Sequence, residues 1–324
     1  MSRILRIGGA CLNQIPMDWN HNLKNIKNAF QEAQKNNIEL LCLPELCITG
    51  YGCEDMFLST WLCETAHAKL IELLPFTSGL ITSLGLPVRF EDQIYNCIAI
   101  IEDKKILGVY AKHNLANDGI HYEKRWFSSW PYHKIETLNI AGQPIQIGAI
   151  SLEIKNIKIG FEICEDAWQE DRPANHLATQ GIELILNPSA SHFAFEKEKY
   201  REQLVVSSSK KFNCTYLYTN LLGNEAGRMI YDGDILIAQN GNLIGHNTRF
   251  SFKPFNILYC EVNFDSQTSS TNIKKDYTSK LEEMSQVLPL ALFDYLIKSK
   301  NKGFVLSLSG GADSSTIAIM VRRM

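Results

Sequence analysis

The sequence predicts an α/β fold with two sheets, or one very large sheet, and helices on the outside. Apolar residues make up 45% of the 324 residues, enough for one large domain or two smaller ones with their own cores. About a dozen short apolar runs look like strands, whereas only about four stretches show helical spacing. The strand-like runs end at polar residues rather than in glycine-rich turns, so the chemistry is to be sought at those ends.

The elements can be followed in chain order. Residues 4–11 predict a strand, and a helix with its cap near Asn20 follows. The apolar positions of that helix are Leu23, Ile26, Phe30 and Ala33. The run 38–43 predicts a second strand that leads into Glu45. Further strands are predicted at 79–86, 94–101, 105–111, 145–151, 157–163, 182–187, 214–220, 232–238 and 256–263.

Charge and hydropathy argue against two classes of partner. The net charge is -3, with 32 basic and 35 acidic residues interleaved, so no basic stripe marks a nucleic-acid surface. No apolar run approaches the roughly 20 residues that span a bilayer, and the first residues lack the apolar core of a signal peptide. We therefore expect a cytoplasmic protein that binds neither nucleic acid nor membrane.

The nine cysteines predict reduced thiols rather than disulfides. Their number is odd, no C-x-x-C spacing occurs, and most lie in apolar segments. Cys42, Cys47 and Cys53 lack the nearby fourth donor that structural zinc requires. We expect no metal site in this part of the chain.

Three polar residues at strand ends supply the parts of an amide-cleaving thiol enzyme. Glu45 and Lys112 each follow an apolar strand, and each alone also fits an ordinary surface charge. Cys164 is different, because the strand 157–163 delivers it directly to two acids, where a structural cysteine has little reason to lie. Together they offer a nucleophile and a base that takes its proton. They also offer a cation, which would favour the thiolate and stabilise the oxyanion that develops on the substrate.

In this order, Pro44 with Glu45, then Lys112, then residues 163–168 resemble the Glu-Lys-Cys triad of the nitrilase superfamily of carbon-nitrogen hydrolases. The resemblance covers residues 1–264 and includes the segment 187–191. It implies an αββα sandwich whose domains associate through their faces, hence a homo-oligomer. It also implies that Cys164 is the nucleophile, Glu45 the general base, and Lys112 with the backbone N–H of Glu165 the oxyanion partners.

The C-terminal segment predicts the beginning of a second domain. We place a linker at 265–279, where aliphatic residues almost disappear, then a helix and a strand from Gly303 to Leu308. The apolar residues of that helix are Leu281, Met284, Leu288, Leu292 and Leu296. The run that follows resembles the S-G-G-x-D-S motif of N-type ATP pyrophosphatases, in which backbone N–H groups at a helix N-terminus approach phosphates. The resemblance implies ATP binding by Ser309, Gly310, Gly311, Asp313, Ser314 and Ser315.

Residues 280–324 are too few for an α/β nucleotide-binding domain, so we expect the chain to stop near the start of that domain. A nitrilase-like amidase ahead of this ATP motif is similar to the glutamine-dependent NAD synthetase family. That resemblance implies that glutamine is hydrolysed to glutamate and ammonia, and that deamido-NAD becomes NAD with ATP and Mg²⁺. It implies no cofactor and no metal for the glutaminase half.

The resemblance also suggests the glutamine pocket. The matching positions are Tyr51, Glu123, Glu165, Trp168 and Ser191. Structural alternatives exist, since Tyr51 and Trp168 would also serve as packing residues, and Glu123 would also pair with Lys124 or Arg125 on the surface. The stretch 113–119 departs from the Leu-Pro-Asn that often follows the family's lysine, which leaves the pocket wall there open.

Four other functions remain as alternatives. A stand-alone amidase or nitrilase would share the triad but should lack the ATP motif. A non-enzymatic oligomerisation module would leave Cys164 inert. A Cys-His hydrolase would need a partner pattern that His113, His176 and His192 do not show, and a serine hydrolase would need a G-x-S-x-G elbow, which is absent.

Overall fold

The structure is a computed structural model that describes residues 3–225, 227–266, 273 and 277–324. Within these residues, no helix is both long enough and apolar enough to cross a bilayer. The strands are β1 Ile4–Leu12, β2 Leu40–Cys42, β3 Ile81–Phe90, β4 Gln93–Glu102, β5 Lys105–Ala111, β6 Ile135–Ile140, β7 Gln143–Gly148, β8 Leu152–Ile154, β9 Ile157–Phe161, β10 Leu184–Ser189, β11 Thr215–Asn220, β12 Leu222–Asn224, β13 Ile230–Asp232, β14 Ile235–Gln239, β15 Asn242–His246 and β16 Phe255–Asn263. The α-helices are α1 Trp19–Lys35, α2 Thr60–Leu73, α3 Glu123–Trp126, α4 Pro173–Thr179, α5 Lys197–Lys211, α6 Lys280–Lys298 and α7 Ala312–Arg323. Three 3₁₀ turns span Glu54–Leu58, Leu74–Thr77 and Cys164–Trp168.

Two large sheets form the centre of the molecule. The eight-stranded sheet has the order β16-β1-β2-β3-β4-β5-β7-β6, and the six-stranded sheet has the order β15-β14-β11-β10-β9-β8. β2 lies parallel to β1 and β3, and β10 lies parallel to β9 and β11. The segments that follow β2, β5 and β9 carry the candidate catalytic side chains, and the segment after β10 carries Ala190, whose backbone N–H bonds to one of them.

The inner faces of the two sheets share one core. Along β1 the side chains alternate, so that Ile7 lies between the sheets while Ala10 and Leu12 face the outer helices. At Gly9 a Cβ would lie 2.3 Å from Oγ1 of Thr219 in the opposite sheet. The sheets therefore approach so closely here that only glycine fits at this point of β1.

Helices cover both outer faces. Phe30 of α1 and Leu70 of α2 are buried against the eight-stranded sheet, and Val205 of α5 is buried with Tyr216 against the six-stranded sheet. The layers are helix, sheet, sheet and helix, so the predicted αββα sandwich is confirmed.

Several elements differ from the sequence prediction. The cap of α1 is Asp18, whose carboxylate accepts the His21 N–H, rather than Asn20. The described residues contain seven α-helices where about four were expected, because helices such as α5 carry mostly polar residues and show no apolar stripe. The short strands β6, β8, β12 and β15 were also not predicted, and of β13 only Asp232 falls in a predicted run.

The C-terminal segment packs on the sandwich through α6. Val287 and Leu290 of this helix belong to the same core cluster as the side chains that lie between the two sheets. The strand predicted from Gly303 to Leu308 is wrong, because these residues form no strand and Val305 is fully exposed. No described strand lies beside them to accept their backbone hydrogen bonds, and a strand without such pairing is not stable. Most of the predicted linker 265–279 lies outside the described residues, so the predicted domain boundaries stay a prediction.

Candidate active site

Three buried side chains from distant parts of the sequence meet at the ends of β2, β5 and β9. Glu45 follows β2, Lys112 directly follows β5, and Cys164 begins the 3₁₀ turn after β9. Glu45 and Lys112 have no exposed surface, and Cys164 is 7% exposed. The structure thus brings together the three residues that the sequence nominated as catalytic.

A compact charge cluster lies at the centre of the site. Nζ of Lys112 is 2.6 Å from Oε1 of Glu45 and 2.8 Å from the carboxylate of Glu123. The amide of Asn96 donates to Oε1 of Glu45 at 2.7 Å and to Oε1 of Glu123 at 3.2 Å. The backbone N–H of Ala190 donates to Oε2 of Glu45 at 2.8 Å. Two carboxylates therefore share one ammonium, which leaves one negative charge in excess when all three are ionised.

Burial and the neighbouring charges shift the pKa values of Glu45 and Lys112. Burial raises the pKa of Glu45 to about 7, helped by the neighbouring Glu123 carboxylate and opposed by Lys112. For Lys112, burial alone lowers the pKa, but Glu123 and Glu45 outweigh it and raise the pKa well above the usual value. Lys112 stays an ammonium at neutral pH, whereas Glu45 is placed to exchange a proton near neutrality, as a general base requires.

Cys164 lies on a strained turn beside this cluster. Its φ of +44° is in the left-handed region, which residues other than glycine rarely adopt. Burial and the charge of Glu45 raise the pKa of the Cys164 thiol above its usual range, while Lys112 and the N–H of Ala190 lower it. The Lys112 ammonium thus lowers the thiol pKa as predicted, but burial and the Glu45 charge outweigh this effect. The resting sulfur is therefore a thiol, and its proton needs an acceptor such as Glu45.

Asp166 ties the nucleophile turn to the lysine strand. Its buried carboxylate accepts the N–H of Ile163 at 2.9 Å, that of His113 at 3.1 Å and that of Asn114 at 2.7 Å. One side chain thus fixes the residue before Cys164 and the two residues after Lys112. The sequence showed Asp166 only as one of two acids after the cysteine and did not indicate this role.

The predicted pocket residues either contact the cluster or lie on segments that carry its members or Cys164. The hydroxyl of Tyr51 donates to Oε1 of Glu123 at 3.0 Å, so Tyr51 does more than pack. Glu165 and Trp168 belong to the turn that begins at Cys164. Trp168 is 38% exposed and Glu165 is half-buried, so both line an accessible side of the turn.

Two further details concern Ser191 and the surface alternative for Glu123. The backbone N–H and carbonyl of Ser191 both bond to the amide of Asn220, at 2.8 and 2.9 Å, which fixes the segment that carries Ala190.

Glu123 is fully buried, and Arg125 pairs with Asp55 instead. The idea that Glu123 pairs with its neighbours on the surface is therefore wrong.

Sequence reasoning missed two residues of the site. Asn96 lies in the middle of β4 and carried no signal, because an asparagine within a strand has no motif around it. Lys197 begins α5, and the pKa of its ammonium is lowered by burial and by Arg201, and raised by Cys164. Lys197 is thus a second cation whose charge interacts with that of Cys164.

The histidines make other contacts. Nδ1 of His113 lies 2.8 Å from the Trp130 carbonyl, and Nδ1 of His192 lies 3.0 Å from Nε2 of His121. Among the described residues, Asp118, His121 and His192 form the one group of three whose ligand atoms lie within 4.8 Å of one another. No step of the chemistry below requires an ion there.

The ATP motif is the second candidate site. Residues 309–311 form a turn in which Gly310 has a φ of +82°, and Gly311 caps α7. Oγ of Ser309 and Oγ of Ser314 are 3.2 Å apart across the turn. The motif thus lies at a helix N-terminus, where backbone N–H groups favour an anion.

A family model described as carbon-nitrogen hydrolase matches residues 7–269. A glutamine-dependent NAD(+) synthetase of Arabidopsis thaliana is 31% identical over 98% of this chain and 51% of its own length. A crystal structure of a glutamine-dependent NAD(+) synthetase from Cytophaga hutchinsonii has 48% identity and a TM-score of 0.89, covering 98% of this chain and 51% of that one. The glutamine-dependent NAD+ synthetase from Acinetobacter baumannii, solved with adenosine diphosphate, has 26% identity and a TM-score of 0.84, covering 98% of this chain and 57% of that one. The chain therefore spans about half the length of the relatives it matches.

Proposed function

Because this chain belongs to the carbon-nitrogen hydrolase family, we propose that it hydrolyses glutamine to glutamate and ammonia through a Cys164 thioester. The observation that carries the proposal is the Glu45–Lys112 cluster beside Cys164, with distances of 2.6 to 2.8 Å between its charged groups. The names of its relatives support glutamine as the substrate.

The first half of the reaction forms the thioester. Glu45 accepts the proton of the Cys164 thiol as the sulfur attacks the side-chain carbonyl carbon of glutamine. Lys112 and the backbone N–H of Glu165 stabilise the oxyanion that develops on the carbonyl oxygen. Glu45 then gives its proton to the departing nitrogen, the carbon–nitrogen bond breaks, and ammonia leaves.

The second half uses the same base. Glu45 takes a proton from a water molecule, whose oxygen attacks the thioester carbon. The carbon–sulfur bond breaks, glutamate leaves, and the sulfur recovers a proton from Glu45. A carboxyl group with a pKa of about 7 suits both directions of transfer near neutral pH.

The substrate's charged end also has candidate partners. Glu165 would bind the α-amino group, and Lys197 would bind the α-carboxylate, because it is a cation whose charge interacts with that of Cys164. Tyr51, Trp168 and Ser191 would form the walls. Hydrogen bonds and charges placed in this way would prefer glutamine over a simple amide that lacks them.

The chain's C-terminal part suggests where the ammonia goes. Ser309, Gly310, Gly311, Asp313, Ser314 and Ser315 would contact the phosphates of ATP, with Mg²⁺. The ammonia would convert ATP-activated deamido-NAD to NAD. Association into a homo-oligomer and a cytoplasmic location remain predictions within the same proposal.

Glutamate release from glutamine tests the amidase. The chain should release glutamate, and Cys164→Ala should abolish this while the variant still binds glutamine. Unchanged hydrolysis in the variant would overturn the assignment. A stand-alone amidase, the second candidate, would instead hydrolyse simple amides such as butyramide in preference to glutamine.

The use of ammonia is tested by NAD formation in the full gene product. With deamido-NAD, ATP and Mg²⁺ present, Cys164→Ala should form NAD from ammonium chloride but not from glutamine. Loss with both nitrogen sources would mean that Cys164 does not act only in amide hydrolysis.

A further inference from the structure

A buried carboxylate outside the catalytic cluster holds the loop that carries Tyr51. Oε2 of Glu225, directly after β12, accepts the backbone N–H groups of Tyr51 and Gly52, both at 2.8 Å. Oε1 of Glu225 is buried without a hydrogen-bond partner among the described residues, although the residue as a whole is partly exposed. A buried carboxylate oxygen without a hydrogen-bond partner is costly, so this carboxylate is not an incidental surface charge.

The loop leaves Tyr51 little freedom beyond this anchor. Gly50 has a φ of +80°, and a Cβ at this position would lie 2.9 Å from Cα of Pro16 and 3.2 Å from Oε1 of Glu225. The loop is thus confined between Pro16 on one side and Glu225 on the other. The backbone position of Tyr51 decides whether its hydroxyl reaches Glu123.

The residue before Glu225, Asn224, is held by α6. Nζ of Lys298 donates to the carbonyl of Asn224 at 2.6 Å, and Oδ2 of Asp294 accepts the N–H of Asn224 at 2.6 Å. Nζ of Lys298 also donates to Oδ1 of Asn13 at the end of β1. The helix that precedes the ATP motif therefore fixes both backbone polar groups of the residue before Glu225.

Electrostatics connects the same groups. Burial raises the pKa of Glu225 to about 7, whereas Lys298 and the two backbone N–H groups lower it. The carboxylate is therefore sensitive to the loss of any one of these partners. Hydrogen bonds to a charged acceptor are about twice as strong as neutral ones, which makes Glu225 an effective anchor when it is ionised.

We propose that Glu225 is a positioning residue for the candidate active site. Lys298 and Asp294 of α6 hold Asn224 and thereby the backbone of Glu225, Glu225 holds the Tyr51 loop, and the Tyr51 hydroxyl then holds the Glu123 carboxylate against Lys112. The role does not require Glu225 to touch substrate. It rests on the proposed function only for the assay with glutamine.

A double-mutant cycle tests whether Glu225 acts through Tyr51. The variants are Glu225→Ala, Tyr51→Phe and their combination in the full chain. Two quantities are measured, kcat/KM for glutamine hydrolysis and the second-order rate of Cys164 alkylation by iodoacetamide. The alkylation rate needs no substrate, so it still tests the positioning role if glutamine hydrolysis itself is absent.

Each single variant should lower kcat/KM by about tenfold or more, the equivalent of one hydrogen bond to a charged group. The double variant should be no worse than Glu225→Ala alone, because the Tyr51 hydroxyl has already lost its place. Multiplied effects in the double variant would overturn the proposal, since Glu225 would then act independently of Tyr51. The alkylation rates should follow the same non-additive pattern.

Two controls separate positioning from general loss of structure. Glu225→Gln keeps an acceptor oxygen for both N–H groups and should restore most of the activity lost in Glu225→Ala. Arg228→Met removes a surface pair with Glu54 nearby and should leave both rates unchanged. If Glu225→Ala does not fold, Lys298→Met becomes the test in the same cycle, with a smaller loss expected. An effect of Lys298→Met that multiplies with Tyr51→Phe would overturn the proposal equally.

Discussion

The hydrogen bond from Asn96 to Glu45 offers a quantitative test of the charge cluster. Nδ2 of Asn96 donates to Oε1 of Glu45 at 2.7 Å inside a fully buried site, and the substitution Asn96→Leu removes this donor at similar volume. Oδ1 of Asn96 has no hydrogen-bond partner among the described residues, so the substitution removes only the two bonds that Nδ2 donates, the shorter one to Glu45 and a longer one, at 3.2 Å, to Oε1 of Glu123. Its main effect should therefore be on the ionised form of Glu45.

The expected magnitude follows from the strength of that bond. A hydrogen bond to a charged group contributes about 1.5–3 kcal/mol, and about 1.4 kcal/mol corresponds to one pKa unit, so the pKa of Glu45 should rise by about 1–2. It would move from about 7 to about 8–9. Glu45 must be ionised to accept the thiol proton, so the acid limb of the pH profile should shift upward by the same amount. At pH 7 the rate should fall by about 5- to 50-fold and recover as the pH rises.

The assay is the pH dependence of kcat/KM for glutamine hydrolysis, which reports the pKa of the free enzyme. Tyr95→Phe is the matched control, because Tyr95 lies next to Asn96 in β4 but bonds to Gln93 instead. The control should keep its acid limb near that of the wild type. An Asn96→Leu profile with an unshifted acid limb would refute the view that Asn96 stabilises the Glu45 carboxylate, and a loss that does not recover at high pH would indicate a general defect.

Three further outcomes follow from the same contacts. Lys112→Met should slow alkylation of Cys164 by iodoacetamide at neutral pH, because the ammonium lowers the thiol pKa, and an unchanged rate measured by mass spectrometry would contradict this. The melting temperature of Glu45→Gln, relative to that of the wild type, should rise as the pH increases from 5 to 8. The Glu45 pKa is raised from 4.5 to about 7, so its contribution to stability is present below about 4.5 and is lost as the pH rises through about 7, by about 3 kcal/mol in total; a pH-independent difference would refute this. Asp166→Ala should lower the melting temperature and slow alkylation together, since unpaired N–H groups at Ile163 and Asn114 cost about 1–3 kcal/mol each, and normal alkylation would show that Asp166 does not position Cys164.

The three candidate catalytic residues were predictable because each has a local signal. Glu45, Lys112 and Cys164 each follow an apolar strand in a short pattern, and a side chain directly after a strand lies at an end of the sheet. The strand positions were predictable for the same reason, since most are runs of apolar residues. Strand 303–308 was the exception, because an apolar run needs neighbouring strands before it can pair.

Other residues of the site gave no local signal. Asn96 and Glu225 form hydrogen bonds with residues that are distant in sequence. Asn96 bonds to Glu45, 51 positions away, and Glu225 bonds to Tyr51, 174 positions away. Their function depends on which strands become neighbours, and no pattern around either residue records that. Lys197 begins a helix without an apolar stripe, so neither the helix nor its lysine was evident.

The sequence by itself determined the layered α/β fold and predicted the order of the candidate triad and an ATP motif, because hydrophobic period and residue type are local properties of a chain. Only the tertiary structure decided the ionisation of the site. Burial, together with the neighbouring carboxylate charges, raises the pKa of both Glu45 and the Cys164 thiol, although the Lys112 ammonium lowers both values. A pKa depends on burial and on the distances between charges, and both are fixed only when separate strands pack together.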